Sequence, residues 1–267
     1  MMTLQNYIES LQLTYTAPSA EQLHEFQEKH LALYSFSSIN ALKAEILPLD
    51  EAALLQRVVL KQQGGYCFEL NKLAYLALHQ LGYEVTPLLA RVLLNGREDN
   101  GRTHRLTLVH LAGESYLCDV GFGSKSPQRP LPVSKSGIVE AGHYRYKITR
   151  DNHSLRVDVL HPESVSLYSA ELSQVNEMDC DIAHFYSHQH PESNFVKNLI
   201  LSRVANGKRY TIRNLQFSEL DERSQLRSQT IITSPQQLLQ LIRNIFLINL
   251  STAQAEHLFS RARANAC

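Results

Sequence analysis

A thiol at Cys67, an imidazole at His104 and a carboxylate at Asp119 are the three groups a protein needs to attack a carbonyl carbon covalently: nucleophile, base and orienter. Cys67 follows Gln62-Gln63-Gly64-Gly65-Tyr66, where two glycines allow turns closed to residues with a Cβ. Behind it Leu70, Leu73, Ala74, Ala77, Leu78 and Leu81 recur at helical spacing, and Gly82 stands where a C-cap is expected. The thiol is therefore predicted in the first turn of a helix, where unpaired N–H groups and the positive end of the helix dipole favour a thiolate. A cysteine with no such partners reads as a small buried hydrophobe, so the case rests on what meets it.

His104 lies in Thr103-His104-Arg105-Leu106-Thr107-Leu108-Val109 and Asp119 in Cys118-Asp119-Val120-Gly121-Phe122-Gly123, joined by a turn near Leu111 to Glu114. A two-residue hairpin loop makes the numbers of facing residues add to an odd total, as 104 and 119 do. The two side chains are therefore expected on one face of a hairpin, opposite or slightly displaced. A carboxylate accepting the Nδ1 proton would leave Nε2 to face a thiol. The alternative is a strand histidine paired with a surface aspartate.

The elements that must position these groups change character along the chain. From Leu4 to about Gly82 the apolar period is helical: Tyr7, Ile8 and Leu11; then Leu23, Phe26, His30 and Leu31 behind a Ser19/Gln22 capping box; then Leu54, Leu55, Val58 and Val59 behind Asp50; then the Cys67 helix. Tyr34 to Asn40 is a serine-rich, loop-like interruption carrying Phe36. After Gly82 strands are predicted at Val85 to Leu94, Arg105 to Leu111, Ser115 to Val120, His143 to Thr149 and Leu155 to Leu160, with short turns that imply an antiparallel sheet or small barrel. Glu171 to Pro191 reads as irregular and marks a boundary. Strands at Phe195 to Arg203 and Lys208 to Leu215 follow, then a helix from Pro235 to Leu250 and another from Thr252.

Composition narrows the partners. The 267 residues are 43% hydrophobic and carry 26 basic and 26 acidic side chains, so a basic surface for nucleic acid or an anionic membrane is not expected. The apolar run Leu238 to Leu250 is too short to span a bilayer and contains Arg243 and Asn244, and the start Met1-Met2-Thr3-Leu4 does not read as a secretory signal. Cytoplasm is the expected location. Cys67, Cys118, Cys180 and Cys267 form no CxxC pair, which argues against a disulfide framework or a zinc site. With no tryptophan in the chain, Tyr and Phe must supply any aromatic wall.

Gly-Gly-Tyr-Cys-Phe-Glu at 64 to 69, Thr-His-Arg-Leu at 103 to 106 and Asp-Val-Gly-Phe-Gly at 119 to 123 resemble, in order and spacing, the signature segments of the arylamine N-acetyltransferases. A weaker likeness covers nearly the whole chain, through Leu23, Phe26 and His30 and through His190 to Asn198. The resemblance implies an α+β fold with a cysteine-protease-like core: a helical bundle over 1–83, an antiparallel β-barrel over 84–190 carrying His and Asp, and an α/β lid over 191–267. It implies Cys67, His104 and Asp119 as a catalytic triad, and ping-pong N-acetylation of arylamines and hydrazines by acetyl-coenzyme A, extending to O-acetylation of N-hydroxyarylamines, with no metal. The turn Gly121-Phe122-Gly123-Ser124-Lys125, whose glycines expose backbone N–H groups, is expected to cradle the phosphates of coenzyme A, and the resemblance implies Thr103 as a further coenzyme A contact and Phe36 and Val92 as acceptor contacts. Two departures stand out: Gln63 where the family usually has arginine, and Ser35-Phe36-Ser37-Ser38 where it has Pro-Phe-Glu-Asn. Three alternatives stay open: an amide synthase closing a macrolactam, a cysteine hydrolase using the same three residues, and a non-catalytic binding module. The oligomeric state also stays open.

Overall fold

The computed structural model describes residues 3–160 and 164–264; Met1, Met2 and Cys267 lie outside the described residues. The N-terminal helices are α1 (Leu4–Ser10), α2 (Ala20–Leu33), α3 (Ile39–Leu42), α4 (Glu51–Leu54) and α5 (Cys67–Gln80), with a two-residue strand β1 (Phe36–Ser37) between α2 and α3. Ser19 caps α2 through the Gln22 N–H (3.0 Å), but the Gln22 amide donates to the Tyr15 carbonyl (2.7 Å), so the expected reciprocal box is only half made. Asp50 caps α4 through the Ala53 N–H, and the helix then widens to a π-helical turn over Leu55–Leu60. The apolar faces of these helices meet in one core that encloses Tyr7, Phe26, Leu54, Phe68 and Leu73.

The serine-rich interruption is not a surface loop. Ser35, Ser37 and Ser38 are buried, and β1 pairs antiparallel with a strand of the C-terminal sheet while Phe36 bridges Gly65. Short hydroxyl side chains make this burial tolerable by bonding nearby backbone: Ser35 Oγ donates to the Phe246 carbonyl (2.6 Å) and Ser38 Oγ to that of Asn198 (2.8 Å).

The middle of the chain forms an eight-stranded antiparallel sheet of β2 (Glu84–Val92), β3 (Arg102–Leu111), β4 (Glu114–Cys118), β5 (Leu131–Pro132), β6 (Gly137–Ala141), β7 (Tyr144–Arg150), β8 (Ser154–Val159) and β9 (Val165–Glu171). Their order is β5-β4-β3-β2-β9-β8-β7-β6, and the edge strands β5 and β6 touch, so the sheet nearly closes into a barrel around Leu106, Tyr146, Val157 and Tyr168. The β3–β4 hairpin turns on Ala112-Gly113, both at positive φ (51° and 83°), the backbone of a two-residue turn.

Glu171 to Pro191, expected to be irregular, holds a thirteen-residue helix, α6 (Glu177–Gln189). Asn176 and Asp179 cap it reciprocally. The charged and histidine side chains that hide its periodicity are engaged in tertiary bonds: Glu177 with Arg105 and Lys72, and His184 with the Tyr66 hydroxyl and the Leu47 carbonyl. Phe195, expected in a strand, lies in the short helix α7 (Asn194–Lys197). A five-stranded sheet then runs β1-β10-β11-β12-β13, with β10 (Ile200–Ala205), β11 (Lys208–Arg213), β12 (Gln216–Asp221) and β13 (Arg227–Ile231). One face packs on α8 (Pro235–Asn244) and α9 (Thr252–Ala264) through Leu201, Ile212, Leu238 and Leu258. The chain leaves α8 at Asn244 rather than Leu250, because Leu247 adopts positive φ (54°) and turns Phe246, Ile248 and Leu250 inward. No helix among the described residues is long and apolar enough to cross a membrane.

Two buried histidines tie stability to pH. Burial pulls both His30 and His184 down to about 3, so each is neutral in the fold but protonates near 6.5 when unfolded. A folded value below the unfolded one means stability is present above pH 6.5 and is lost as pH falls from there toward 3. The thermal midpoint measured by calorimetry should therefore drop steadily from about pH 6 to about pH 4. A flat profile across that interval would contradict burial of the neutral rings.

Candidate active site

Cys67 opens α5 and is almost wholly buried, 2% exposed, on the wall of a cleft. The turn of chain before it is fixed by a buried carboxylate: Glu69 Oε2 accepts the Tyr66 N–H (3.1 Å) while Oε1 takes the Arg57 Nε–H (2.6 Å). Gly65 permits this approach, since a Cβ there would sit 3.0 Å from the Glu69 Cβ. A guanidinium thus braces the loop although position 63 is glutamine; it comes from the π-helical turn, and Arg57 also donates to the Pro48 carbonyl (2.8 Å).

His104 and Asp119 meet as the hairpin parity requires. With Thr107 facing Cys118, His104 on β3 and Asp119 just past β4 share a face, and His104 Nε2 lies 2.9 Å from Asp119 Oδ2. The ring is turned opposite to expectation: Nε2 holds the carboxylate, so Nδ1 is the nitrogen left for the thiol. Strand spacing fixes which face a side chain takes but leaves the ring flip to its surroundings. Phe122 packs edge-on at 5.1 Å and Tyr168 at 5.4 Å between centroids.

The electrostatics follow from this packing. Burial alone would lower the His104 pKa, but the Asp119 charge and hydrogen bond, with the Cys67 sulfur beside the ring, outweigh it and raise the value to about 10. The imidazolium is therefore the resting form at neutral pH. Asp119 is fully buried and well bonded: Oδ1 accepts from Asn71 Nδ2 and from the Gly121 N–H (both 3.0 Å), and its own N–H donates to Gln27 Oε1 (3.1 Å). Asn71 also donates to the Arg105 carbonyl (2.7 Å) and accepts the Val120 N–H (3.0 Å), locking α5 to both strands. A thiol with an adjacent imidazolium held by a carboxylate is equipped to form and release an acyl thioester.

The cleft has a volume of about 440 Å³, within the range of small-molecule sites. Phe36, Val92, Thr103, Phe122, Gly123 and Ser124 all line it with Cys67, His104 and Gly121, while Asp119 is fully buried behind His104 and does not reach the cleft. The Gly121 N–H, however, is taken by Asp119. Phe195, Tyr186 and the Ser202, Thr211 and Ser218 face of the C-terminal sheet complete the wall. Among the described residues there is no cluster of His, Cys, Asp or Glu suited to a metal ion.

Comparison with known proteins decides the family. An N-acetyltransferase family profile matches residues 19–255. The chain belongs to the arylamine N-acetyltransferase family. It is 29% identical over 248 residues to the arylamine N-acetyltransferase / N-hydroxyarylamine O-acetyltransferase of Salmonella typhimurium, covering 92% of this chain and 87% of that one. To the arylamine N-acetyltransferase of Mycolicibacterium smegmatis it is 30% identical, covering 87% and 86%. The solved Salmonella typhimurium arylamine N-acetyltransferase superposes with a TM-score of 0.90 at 27% identity, covering 97% of this chain and 99% of that one. The Mycobacterium marinum arylamine N-acetyltransferase in complex with CoA has the same fold, with a TM-score of 0.91 at 22% identity over 97% of this chain and 99% of that one. The fold is thus the α+β, cysteine-protease-like fold of the arylamine N-acetyltransferases.

Three supports of this arylamine N-acetyltransferase site lie outside the motifs. Asn71 could have been found, since it sits one helical turn past Cys67 as a polar residue on an apolar face. Gln27 carries a similar signal among Leu23, Phe26, His30 and Leu31, and is 0% exposed. Tyr168 gives none, because β9 is not visible in the sequence pattern. Gly121 has a steric task as well: a Cβ there would lie 2.7 Å from the Cys67 Cα and 2.8 Å from Asn71 Nδ2. Gly121→Ala should push α5 off the hairpin, destabilise the fold by about 1–3 kcal/mol and cut activity at least about tenfold. Denaturant unfolding and initial rates check this; native stability and rate in the variant would contradict the close packing.

Proposed function

We propose that this enzyme acetylates the nitrogen of arylamines and hydrazines by a ping-pong route, with acetyl-coenzyme A as donor, Cys67 as nucleophile, His104 as acid and base, and Asp119 as orienter. O-acetylation of N-hydroxyarylamines is the expected extension, since it uses the same acyl-enzyme. The observation that carries this reading is the raised, carboxylate-held imidazole of His104 beside Cys67 at the cleft wall.

An ordinary thiol, with a pKa of about 8.5, is only a few per cent ionised at neutral pH, so the His104 imidazolium is what makes a thiolate available. The Cys67 thiolate attacks the thioester carbonyl carbon. As the carbon–sulfur bond to coenzyme A breaks, His104 gives its Nδ1 proton to the departing thiolate, and an acetyl-cysteine remains. Backbone N–H groups at the start of α5 are the proposed donors to the oxyanion. The amine nitrogen then attacks the acetyl carbon, neutral His104 accepts its proton, and the Cys67 thiolate leaves, which restores the starting ion pair. Asp119 keeps the ring oriented in both half-reactions. Thr103, Gly123 and Ser124 are the proposed donor contacts with Phe122, and Phe36 and Val92 the proposed walls for the acceptor ring. Gly121 contributes by close packing. Bundle (1–83), barrel (84–190) and lid (191–267) each supply part of the cleft.

Initial rates with acetyl-coenzyme A against a series of arylamines and hydrazines, read by thiol release, test the reading. Parallel double-reciprocal lines are expected. Turnover of a peptide without any acyl donor would instead make the chain a hydrolase.

A further inference from the structure

The turn Gly121 to Ser126 is held from behind by the lid and the barrel. Arg209, on β11, is 2% exposed, and its Nη1 donates to two carbonyls of the turn, Ser124 O and Ser126 O, at 2.9 Å each. Its Nε donates to Glu222 Oε1 (2.6 Å), which is 0% exposed at the side chain, and the guanidinium lies 4.3 Å over the Tyr144 ring. The Tyr146 hydroxyl donates to the carbonyl between them, Lys125 O (3.2 Å). Three successive carbonyls of the turn are thus drawn away to fixed donors on other elements.

The opposite face of the turn is left with N–H groups. The Gly123 carbonyl is directed within the turn to the Ser126 N–H (3.1 Å), and Ser126 Oγ accepts the Phe122 N–H (3.1 Å). Across a planar trans peptide the N–H of Ser124 points away from the Gly123 carbonyl. The N–H groups of Gly123 and Ser124 have no hydrogen-bond partner among the described residues, and both residues line the cleft. Gly123 stands at φ +90°, a conformation that brings successive N–H groups round toward one point, as in anion-binding nests. Gly123 is buried, so its unpaired backbone donor on the cleft wall calls for an acceptor from a ligand, and Ser124 beside it is exposed.

We propose that Arg209 is a positioning residue for the acyl donor: by holding the Ser124 and Ser126 carbonyls it keeps the Gly123 and Ser124 N–H groups aimed at the phosphates of the donor. The proposal rests on the acetyl-coenzyme A reading above. It also couples the lid to the donor site, since the guanidinium that sets the turn belongs to the lid sheet.

The test compares acetyl-coenzyme A with S-acetyl-N-acetylcysteamine, a thioester without phosphates, in the full-length enzyme. Arg209→Gln should lower kcat/KM for acetyl-coenzyme A about tenfold more than for the short thioester, chiefly through KM. Arg209→Lys, which keeps the charge but not the fork, should recover only part of that loss. Because Arg209→Gln alone strands the Glu222 carboxylate, the Arg209→Gln/Glu222→Gln pair, which leaves no buried charge, carries the measurement if the single variant does not fold. An equal fall for both donors would mean a general structural role and would overturn the proposal. If the unsubstituted enzyme itself showed no preference for acetyl-coenzyme A over the short thioester, the donor reading would fall, and this proposal with it.

Discussion

Cys67→Ser is expected to leave the fold intact and to reduce acetyl transfer by at least about a thousandfold. The substitution exchanges one atom in a site that already sets a polar group beside the sulfur, the Thr103 carbonyl oxygen at 3.7 Å. A hydroxyl cannot reach its anion with an imidazolium as partner, so the donor should no longer release a stoichiometric burst of coenzyme A thiol. The other described cysteines offer no substitute. Burial pushes the Cys180 thiol up to about 11 and holds Cys118 well above the usual range, so both stay protonated at neutral pH. Stopped-flow thiol release together with a thermal melt separates the outcomes: an unchanged melt with the burst lost supports a nucleophile, whereas a lowered melt with activity retained marks a packing cysteine.

Asp119→Asn is expected to lower activity on the order of a thousandfold and to move its pH dependence. In the parent enzyme burial acts to lower the His104 pKa and Asp119 overrides it, giving about 10. The imidazolium is therefore present through neutral pH and is lost as pH rises through about 10, which sets the alkaline limb of the acylation rate. The linked stability has the same sign. The folded pKa lies above the unfolded 6.5, so this histidine's contribution is whole below 6.5 and is lost as pH rises through about 10. With the carboxylate charge gone, only the Cys67 sulfur still opposes burial, and the alkaline limb should move toward neutrality. The asparagine retains a group able to bond the ring, so a charge effect is separated from a purely steric one. An alkaline limb left in place in the variant would show that Asp119 does not hold the proton on His104.

The candidate site was legible in the sequence where its geometry is local. A pair of glycines before a helical apolar stripe places a cysteine at a helix start, and hairpin parity places a histidine and an aspartate on one face; neither needs knowledge of the rest of the chain. What escaped depends on contacts remote in sequence. The flip of the His104 ring is decided by Asp119 together with Phe122 and Tyr168, the last from a strand with no clear alternation. Gln27 reaches Asp119 from α2 and also holds the Pro127 carbonyl (2.7 Å), a link no local pattern carries. α6 was hidden because its acids and histidines are engaged in tertiary bonds, so its polar residues do not mark a solvent face. The serine-rich stretch misled for the same reason in reverse: its hydroxyls suggest a loop, yet they bond the backbone of buried neighbours.

The most direct measurement of the central claim is peptide mass mapping of the enzyme after incubation with acetyl-coenzyme A and no acceptor amine. One acetyl group is predicted, on the peptide that contains Cys67, and it should leave when an arylamine is added. An unmodified Cys67 in enzyme that still forms acetylated product, or an acetyl group carried stably elsewhere, would contradict it.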